Sequence, residues 1–156
     1  MDIKFEYVFE STNKQNIKEF EMKYNVVLPE EYKDFLLLNN GGKTERRRFT
    51  IYNSKGATIT SSIMLFFPLS QEAENNLEKM YFLYNRGKVV PNYLVPIGID
   101  PADSLICLSI AGEDAGYVYF CDLDYFEEDN ELREEYIILM AKSFTDLINN
   151  LFKPSA

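Results

Sequence analysis

The chain has 156 residues, the length of one domain, which is enough to bury a hydrophobic core without disulfides or a structural metal. Hydrophobic residues make up 46% of the sequence and aromatic residues 15%, a composition too apolar for a disordered protein. The sequence contains no histidine, which excludes Ser-His-Asp and Cys-His catalysis, histidine metal sites and a histidine general base. We therefore predict one domain over residues 1–156.

The net charge of −9 is concentrated in the second part of the chain. Residues 61–156 carry sixteen acidic against six basic side chains, and the segment 122–135 alone carries eight acidic residues. Such a surface repels the phosphates of nucleic acids and attracts basic proteins, whose association it accelerates at low salt. We therefore expect a basic protein partner and no nucleic-acid ligand.

The cysteines and the apolar segments indicate the cellular compartment of the protein. Cys107 and Cys121 are too few for a disulfide scaffold and lack the spacing of metal ligands. The N-terminus shows no signal-peptide pattern. The longest apolar run, residues 63–69, is interrupted by Pro68 and is far shorter than the roughly 20 residues of a membrane span. The sequence predicts a cytoplasmic protein with reduced thiols and without membrane association, metal or cofactor.

A first helix is predicted close to the N-terminus. Thr12 and Gln15 have the spacing of a capping box, in which each side chain satisfies a free backbone N–H at the start of a helix. The helical spacing of Ile17, Phe20 and Tyr24 places these three side chains on one buried face.

A second helix is predicted to begin with Pro29 at its first position, where no N–H is needed. Tyr32, Phe35 and Leu36 form its apolar stripe. We expect Asn39–Gly42 to end this helix, because glycine adopts the left-handed conformation of a helix C-terminus at little cost.

A hairpin and a third helix are predicted next. Two β-rich runs, Phe49–Tyr52 and Thr58–Thr60, are separated by the turn Asn53–Gly56. Ser70, followed by two acidic residues at 72 and 74, predicts the start of a helix, because negative charge is favourable near a helix N-terminus. The helix is predicted to continue to Gly87 through the apolar residues Leu77, Met80, Tyr81 and Tyr84.

The strongest β signal follows. Residues 95–99, 105–110 and 117–122 are predicted strands, and the last two form an antiparallel hairpin around the turn at 111–116. Alternation within 105–110 predicts one set of side chains on each face of the strand. A final helix is predicted from Ser143, with Asp146 three residues later, whereas residues 136–139 are either a strand or an early helical turn. Helices at both ends with strands between them indicate an α+β fold.

Three segments, in this order, resemble the SUKH superfamily and within it the branch of yeast cell-wall assembly regulators. They are LPEEYKDFL with NNGG at 28–42, VPIGID at 95–100 with ICL and VYFCD after it, and AKSF at 141–144. Together they cover most of the chain, about residues 28–152. The chain departs from the family in reading Pro101–Ser104 where a Gly-rich loop is common, and Cys121 where Trp is common.

The resemblance implies a curved, mostly antiparallel sheet flanked by N- and C-terminal helices, with no known active site. Bacterial members of the family resemble immunity proteins that bind and neutralise toxins delivered between competing cells, many of them nucleases or deaminases. Fungal members are intracellular regulators of cell-wall synthesis and signalling. The matched positions are implied to be fold residues rather than site residues.

The acidic stretch from Asp122 onwards has three interpretations. Charge runs are usually solvated surface. A calcium loop would place Asp122 and Asp124 at its first and third positions, but Glu127 stands where the turn needs Gly and Arg133 where it needs Glu. The third interpretation is a docking surface for a basic toxin domain, which the interleaved Tyr125 and Phe126 favour because aromatic side chains anchor interfaces.

Further acidic residues lie in two turns: Asp100 and Asp103 at a strand end, Glu113 and Asp114 within the hairpin. They either extend the acidic surface or serve the turns, where Asp accepts local backbone hydrogen bonds. The candidate partner-binding residues, none of them catalytic or a metal ligand, are Asp100, Asp103, Glu113, Asp114, Tyr119, Asp122, Asp124, Tyr125, Phe126, Glu127, Glu128 and Asp129.

The sequence thus predicts a non-enzymatic immunity protein that captures a cognate, basic toxin domain through an acidic surface. The alternative is an intracellular adaptor that regulates cell-wall or signalling proteins of the same cell. An acid-dependent hydrolase is disfavoured, because nothing distinguishes one pair among the 25 acidic residues. The identity of the toxin and the oligomeric state stay open.

Overall fold

The computed structural model describes residues 3–124 and 132–154. Within these ranges the chain forms a seven-stranded sheet, a two-stranded sheet and four α-helices, which confirms the predicted α+β class. The strands are β1 (Phe5–Val8), β2 (Gly42–Thr44), β3 (Arg48–Tyr52), β4 (Thr58–Ser62), β5 (Leu65–Phe66), β6 (Leu94–Ile99), β7 (Leu105–Ser109), β8 (Val118–Cys121) and β9 (Ile137–Ala141). The helices are α1 (Lys14–Tyr24), α2 (Glu30–Leu38), α3 (Leu77–Tyr81) and α4 (Phe144–Asn150).

The large sheet has the strand order β1-β2-β5-β6-β7-β8-β9, and each neighbouring pair is antiparallel. β3 and β4 pair with each other around the predicted turn at Asn53–Gly56. The predicted hairpin of β7 and β8 is also confirmed, with Leu105 opposite Cys121 and Leu108 opposite Val118. Residues 137–141 form strand β9 after one 3₁₀ turn, which decides the alternative that the sequence left open.

α1 begins one residue later than predicted, because Asn13 and not Thr12 caps it. The Asn13 side chain accepts a 2.8 Å hydrogen bond from the backbone N–H of Asn16. Asn is as good a helix cap as Thr or better, and its longer side chain reaches the same free N–H groups. Ile17 and Phe20 are buried as predicted.

α2 buries Tyr32, Phe35 and Leu36 as predicted, but both of its ends differ from the prediction. Pro29 lies just before the helix in extended conformation, and the helix ends at Asn39 with φ of −147°, not at a left-handed glycine. Gly42 is instead required by close strand packing, since a Cβ there would lie 2.2 Å from the carbonyl oxygen of Tyr7.

The predicted helix start at Ser70 is wrong. α3 begins at Leu77, and Asn76 caps it by accepting a 2.8 Å hydrogen bond from the backbone N–H of Lys79. The amide of Asn76 directly precedes the first buried apolar residue, so the cap lies where packing begins rather than at the earlier acidic residues. A π-helical turn, Phe82–Arg86, continues α3 to Gly87, the predicted end. At the C-terminus, Ser143 caps α4 through the N–H of Asp146, as predicted.

The inner face of the large sheet is the face that carries the row Phe66, Gly98, Ile106 and Phe120, which are direct partners across four strands. Directly opposed residues of antiparallel strands point to the same side. α2, α4 and β3 cover this row through aromatic contacts, with ring centroids 5.2 Å apart for Phe35–Phe66, 4.8 Å for Phe35–Phe144 and 5.6 Å for Phe49–Phe120.

The outer face carries the row Cys107, Tyr119 and Leu139, from β7 to β9. Cys107 is completely buried, Tyr119 is half-buried and Leu139 is 41% exposed. Tyr84 of the π-helical turn lies near Cys107. The outer face is therefore covered at β7 and at Cys121, and it is open around Tyr119 on β8 and Leu139 on β9. The sequence predicted only that each strand has two different faces.

Candidate partner-binding site

The structure divides the predicted partner-binding residues between the two ends of β7. Asp100, Asp103, Asp122 and Asp124 lie at the end where β7 begins, which we call the acidic end. Glu113 and Asp114 lie in the turn after the other end of this strand. A five-residue strand is about 17 Å long, so the two groups do not form one cluster. Tyr125, Phe126, Glu127, Glu128 and Asp129 lie outside the described residues.

Asp100 serves the turn that connects β6 to β7. It is only 4% exposed, and its Oδ1 accepts hydrogen bonds from the backbone N–H groups of Ala102 at 3.0 Å and Ser104 at 2.8 Å. Its Oδ2 accepts a 2.8 Å hydrogen bond from the hydroxyl of Ser61 on β4. Asp100 is buried and both of its oxygens are used within the chain, so it organises the turn and is not offered to a partner.

Asp122 is a half-buried carboxylate beside other negative charges. Burial raises its pKa, and the charges of Asp124 and Asp100 raise it further, while a hydrogen bond from the backbone N–H of Asp124 acts in the opposite direction. That bond is 3.1 Å long and is accepted by Asp122 Oδ1. Asp103 and Asp124 are exposed. The acidic end therefore brings several carboxylates close together, and both burial and repulsion disfavour the ionised form of Asp122.

Within residues 3–124 and 132–154, none of the ion pairs includes Asp100, Asp103, Asp122 or Asp124. They join Lys23 to Glu78, Lys33 to Glu21 and Glu30, Lys43 and Arg47 to Glu6, and Arg133 to Glu135. No group of three or more Cys, Asp or Glu side chains is arranged to hold a metal ion in this described part. The chemistry that the acidic end supports is the binding of cationic side chains.

At the other end of β7, Asp114 folds back onto the outer face. Its Oδ2 accepts a 2.6 Å hydrogen bond from the Tyr119 hydroxyl, and its Oδ1 accepts a 3.3 Å hydrogen bond from the Ser109 hydroxyl. Burial raises the pKa of Tyr119, and its hydrogen bond to Asp114 raises it further. Glu113 is exposed in the same turn. The Asp114 carboxylate thus holds Tyr119 in place on the open part of the outer face.

Three residues around Tyr119 were not among the predicted contacts. Tyr117 lies two residues before it on the same face, with ring centroids 6.5 Å apart, and Leu139 lies directly opposite on β9. Tyr93 is close enough to Asp114 for the negative charge to contribute to its raised pKa, after burial. The local sequence pattern predicted the strand that contains Tyr119. The pairing of this strand with β9 and the proximity of Tyr119 to Tyr93 depend on residues far apart in the sequence, so no local signal predicts them.

The two cysteines lie on the outer face as diagonal neighbours on adjacent strands, since Cys107 is opposite Tyr119 and Cys121 is opposite Leu105. Both are free thiols and completely buried. Burial, the largest effect, and the neighbouring Cys121 raise the pKa of Cys107, which keeps its sulfur protonated and unreactive. The two side chains therefore act as small apolar packing groups.

A polar cleft lies between α1 and the segment 69–78. Its volume is 540 Å³, and Glu78 at its rim accepts hydrogen bonds from Lys23 and, at 3.0 Å, from the Tyr24 hydroxyl. These bonds connect α1 to α3. The other charged residues that line the cleft are Glu10, Glu19 and Glu72.

Comparison with known proteins gives one family match. The model of the SMI1/KNR4 family (SUKH-1) matches residues 11–150, which include both ends of β7 and the helices α1 to α4. A search of curated protein sequences finds no match to this chain. In the described ranges, no helix has the length and apolar character needed to cross a membrane.

Proposed function

The chain belongs to the SMI1/KNR4 family (SUKH-1), and from this membership we propose that it is a non-enzymatic immunity protein. It binds a basic toxin domain in a stoichiometric, non-covalent complex. The acidic end, with Asp103, Asp122 and Asp124, faces the cationic groups of the toxin. A toxin that acts on nucleic acid uses such groups to bind phosphate, so their occupation prevents substrate binding.

The observation that carries this proposal is the position of Asp122, half-buried beside the carboxylates of Asp124 and Asp100. A half-buried carboxylate next to Asp124 and Asp100 is unfavourable in the free chain, and a cation brought close to it relieves this cost. Carboxylates with perturbed pKa values cluster at functional sites. We therefore infer that a cationic partner relieves the repulsion between Asp122 and the carboxylates of Asp124 and Asp100 when it binds.

The same charges act before contact is made. A patch of one sign accelerates diffusional encounter with a partner of the opposite sign, and salt suppresses this effect within a Debye length of about 8 Å at physiological ionic strength. Rapid capture suits a protein that must neutralise a toxin as it enters the cell. We accordingly expect the association rate to fall steeply with increasing salt.

The test begins with capture of a partner from extracts of the source cells by the tagged chain, eluted with a salt gradient. A captured toxin domain is then expressed alone and together with the chain, and growth is measured. The informative variant is the double substitution Asp122→Asn and Asp124→Lys. Its matched control is Glu72→Gln with Glu74→Lys, which changes the net charge equally at exposed positions elsewhere.

We expect the acidic-end variant to lower the association rate constant on the order of tenfold and to reduce protection, while the control retains both. Unfolding curves of the two variants verify that each is folded. Equal protection by both variants contradicts the role of the acidic end. Capture of cell-wall or signalling proteins of the same cell, with no toxin domain, replaces immunity with the adaptor function.

A further inference from the structure

The open part of the outer face combines aromatic surface with negative charge. Tyr93, Tyr117 and Tyr119 are half-buried there, and Leu139 is 41% exposed. We call these four residues the tyrosine face. Large side chains that stay partly exposed on a sheet are typical of protein contacts, and tyrosine is among the residues that contribute most to binding energy.

The tyrosine face is held in a defined arrangement. The Tyr119 hydroxyl donates to Asp114 Oδ2, and the Ser109 hydroxyl donates to Asp114 Oδ1, so Asp114 is anchored to β7 and β8. The packing of the Tyr117 and Tyr119 rings adds to this order. Because Tyr119 is fixed before a partner arrives, binding to its ring costs little conformational entropy.

Negative charge lies close to two of these rings, Tyr93 and Tyr119. Apart from burial, the charges of Asp114 and Glu134 contribute to the raised pKa of Tyr93, and the charge of Asp114 also contributes to that of Tyr119. The faces of aromatic rings attract cations, and carboxylates near the rings strengthen this attraction. A planar guanidinium group stacks on a tyrosine ring and pairs with a carboxylate at the same time, which the ammonium group of lysine does less well.

We propose that the tyrosine face, bordered by Asp114, is a docking surface for arginine side chains of a basic protein. This inference rests on the proposed function and deepens it. The acidic end accelerates encounter from a distance, and the tyrosine face provides the contacts that retain the partner. The two surfaces flank β7 and lie on the same chain, so a single basic partner of ordinary interface size reaches both.

The experiment uses the full chain, labelled with ¹⁵N, and two probes of equal length and charge: an oligo-arginine peptide and an oligo-lysine peptide. Backbone amide shifts and dissociation constants are measured by NMR titration. We expect both peptides to shift the amides of Asp122 and Asp124, but only the arginine peptide to shift those of Tyr117, Tyr119 and Leu139. We also expect the arginine peptide to bind several-fold more tightly than the lysine peptide.

Variants locate the effect. Tyr119→Leu retains apolar bulk but removes the ring, and should weaken arginine-peptide binding about fivefold without changing lysine-peptide binding. Tyr52→Leu is the matched control, because Tyr52 is a 67% exposed tyrosine on β3, away from the tyrosine face. Tyr117→Leu provides a second test if Tyr119→Leu lowers stability.

Equal binding of the two peptides, or unchanged arginine binding by both tyrosine-face variants, overturns this proposal. That result leaves the immunity function standing wherever co-expression still protects cells. A retained arginine preference, together with capture of only cell-wall or signalling proteins of the same cell, does the reverse. It supports the docking surface and contradicts the proposed function, so the two failures are distinguishable.

Discussion

Asp100 and Asp114 lie in the turns at opposite ends of β7, and each accepts hydrogen bonds from a serine hydroxyl. Asp100 is almost completely buried and receives three hydrogen bonds, two of them from backbone N–H groups of its own turn. Asp114 is half-buried, receives two side-chain hydrogen bonds, and holds a tyrosine on the open part of the sheet. The Asp100 turn is therefore part of the protein interior, whereas the Asp114 turn contributes to the tyrosine face.

Acidic residues in similar turns therefore do not have similar roles. What differs is the burial of the carboxylate, and burial depends on which part of the sheet each turn approaches. The Asp100 turn is connected to β4 through Ser61, whereas the Asp114 turn folds over the outer face near the partly exposed Tyr119 and Leu139. The charge pattern predicts a negative potential, but burial decides which carboxylates are available to a partner.

The largest effect is expected for Asp100→Ala. This substitution leaves two buried backbone N–H groups and the Ser61 hydroxyl without their acceptor, which should lower the free energy of unfolding by about 3 kcal/mol. Urea denaturation measures the loss. Asp103→Asn is the control, because Asn readily keeps the left-handed conformation of residue 103, with φ of 67°, and the side chain is exposed. A comparable loss in the control contradicts the structural role of Asp100.

A smaller effect is expected for Asp114→Ala, about 1 kcal/mol, because Tyr119 is only half-buried and water can replace the lost acceptor. The pKa of Tyr119 should fall while staying above its usual range, because burial, the larger cause, persists. Alkaline titration of the tyrosine absorbance follows this change, and Tyr119→Phe assigns it. Glu113→Ala, at the exposed neighbour, should leave the titration unchanged; an equal shift there would show that the hydrogen bond is irrelevant.

The smallest effect is a gain in stability for Asp122→Asn, a few tenths of a kcal/mol at neutral pH after allowance for solvent screening. The folded-state pKa of Asp122 is raised, so stability is lost as the pH rises from the usual pKa of Asp to the folded-state value, and the full cost persists at higher pH. Below the usual pKa of Asp, both the folded and the unfolded chains are protonated and the cost disappears. Unfolding curves of the Asp122→Asn variant and of the unsubstituted chain should therefore differ at neutral pH and coincide at strongly acidic pH. An equal difference at both would exclude a charge effect.

Several elements were predictable from neighbouring residues alone. The buried stripe of Tyr32, Phe35 and Leu36, the Ser143 cap and the β3–β4 turn follow from local spacing and local hydrogen bonds. The errors are also local in origin. Asn13 was preceded by another good capping residue, and Ser70 with its acidic neighbours imitated a helix start ahead of the real cap at Asn76. Several caps of similar strength compete in these stretches, and packing selects among them.

By itself, the sequence determined the α+β class, the β7–β8 hairpin, the excess of negative charge and the resemblance to the family that matches residues 11–150. The tertiary structure alone decided that β7 is buried on both faces and that Asp100 is internal. It alone placed Tyr119 between Cys107 and Leu139. Helix stripes, caps and hairpin turns depend on residues a few positions apart. Exposure of a strand depends on which distant strand pairs beside it and what packs above it, and that information is distributed over the whole chain.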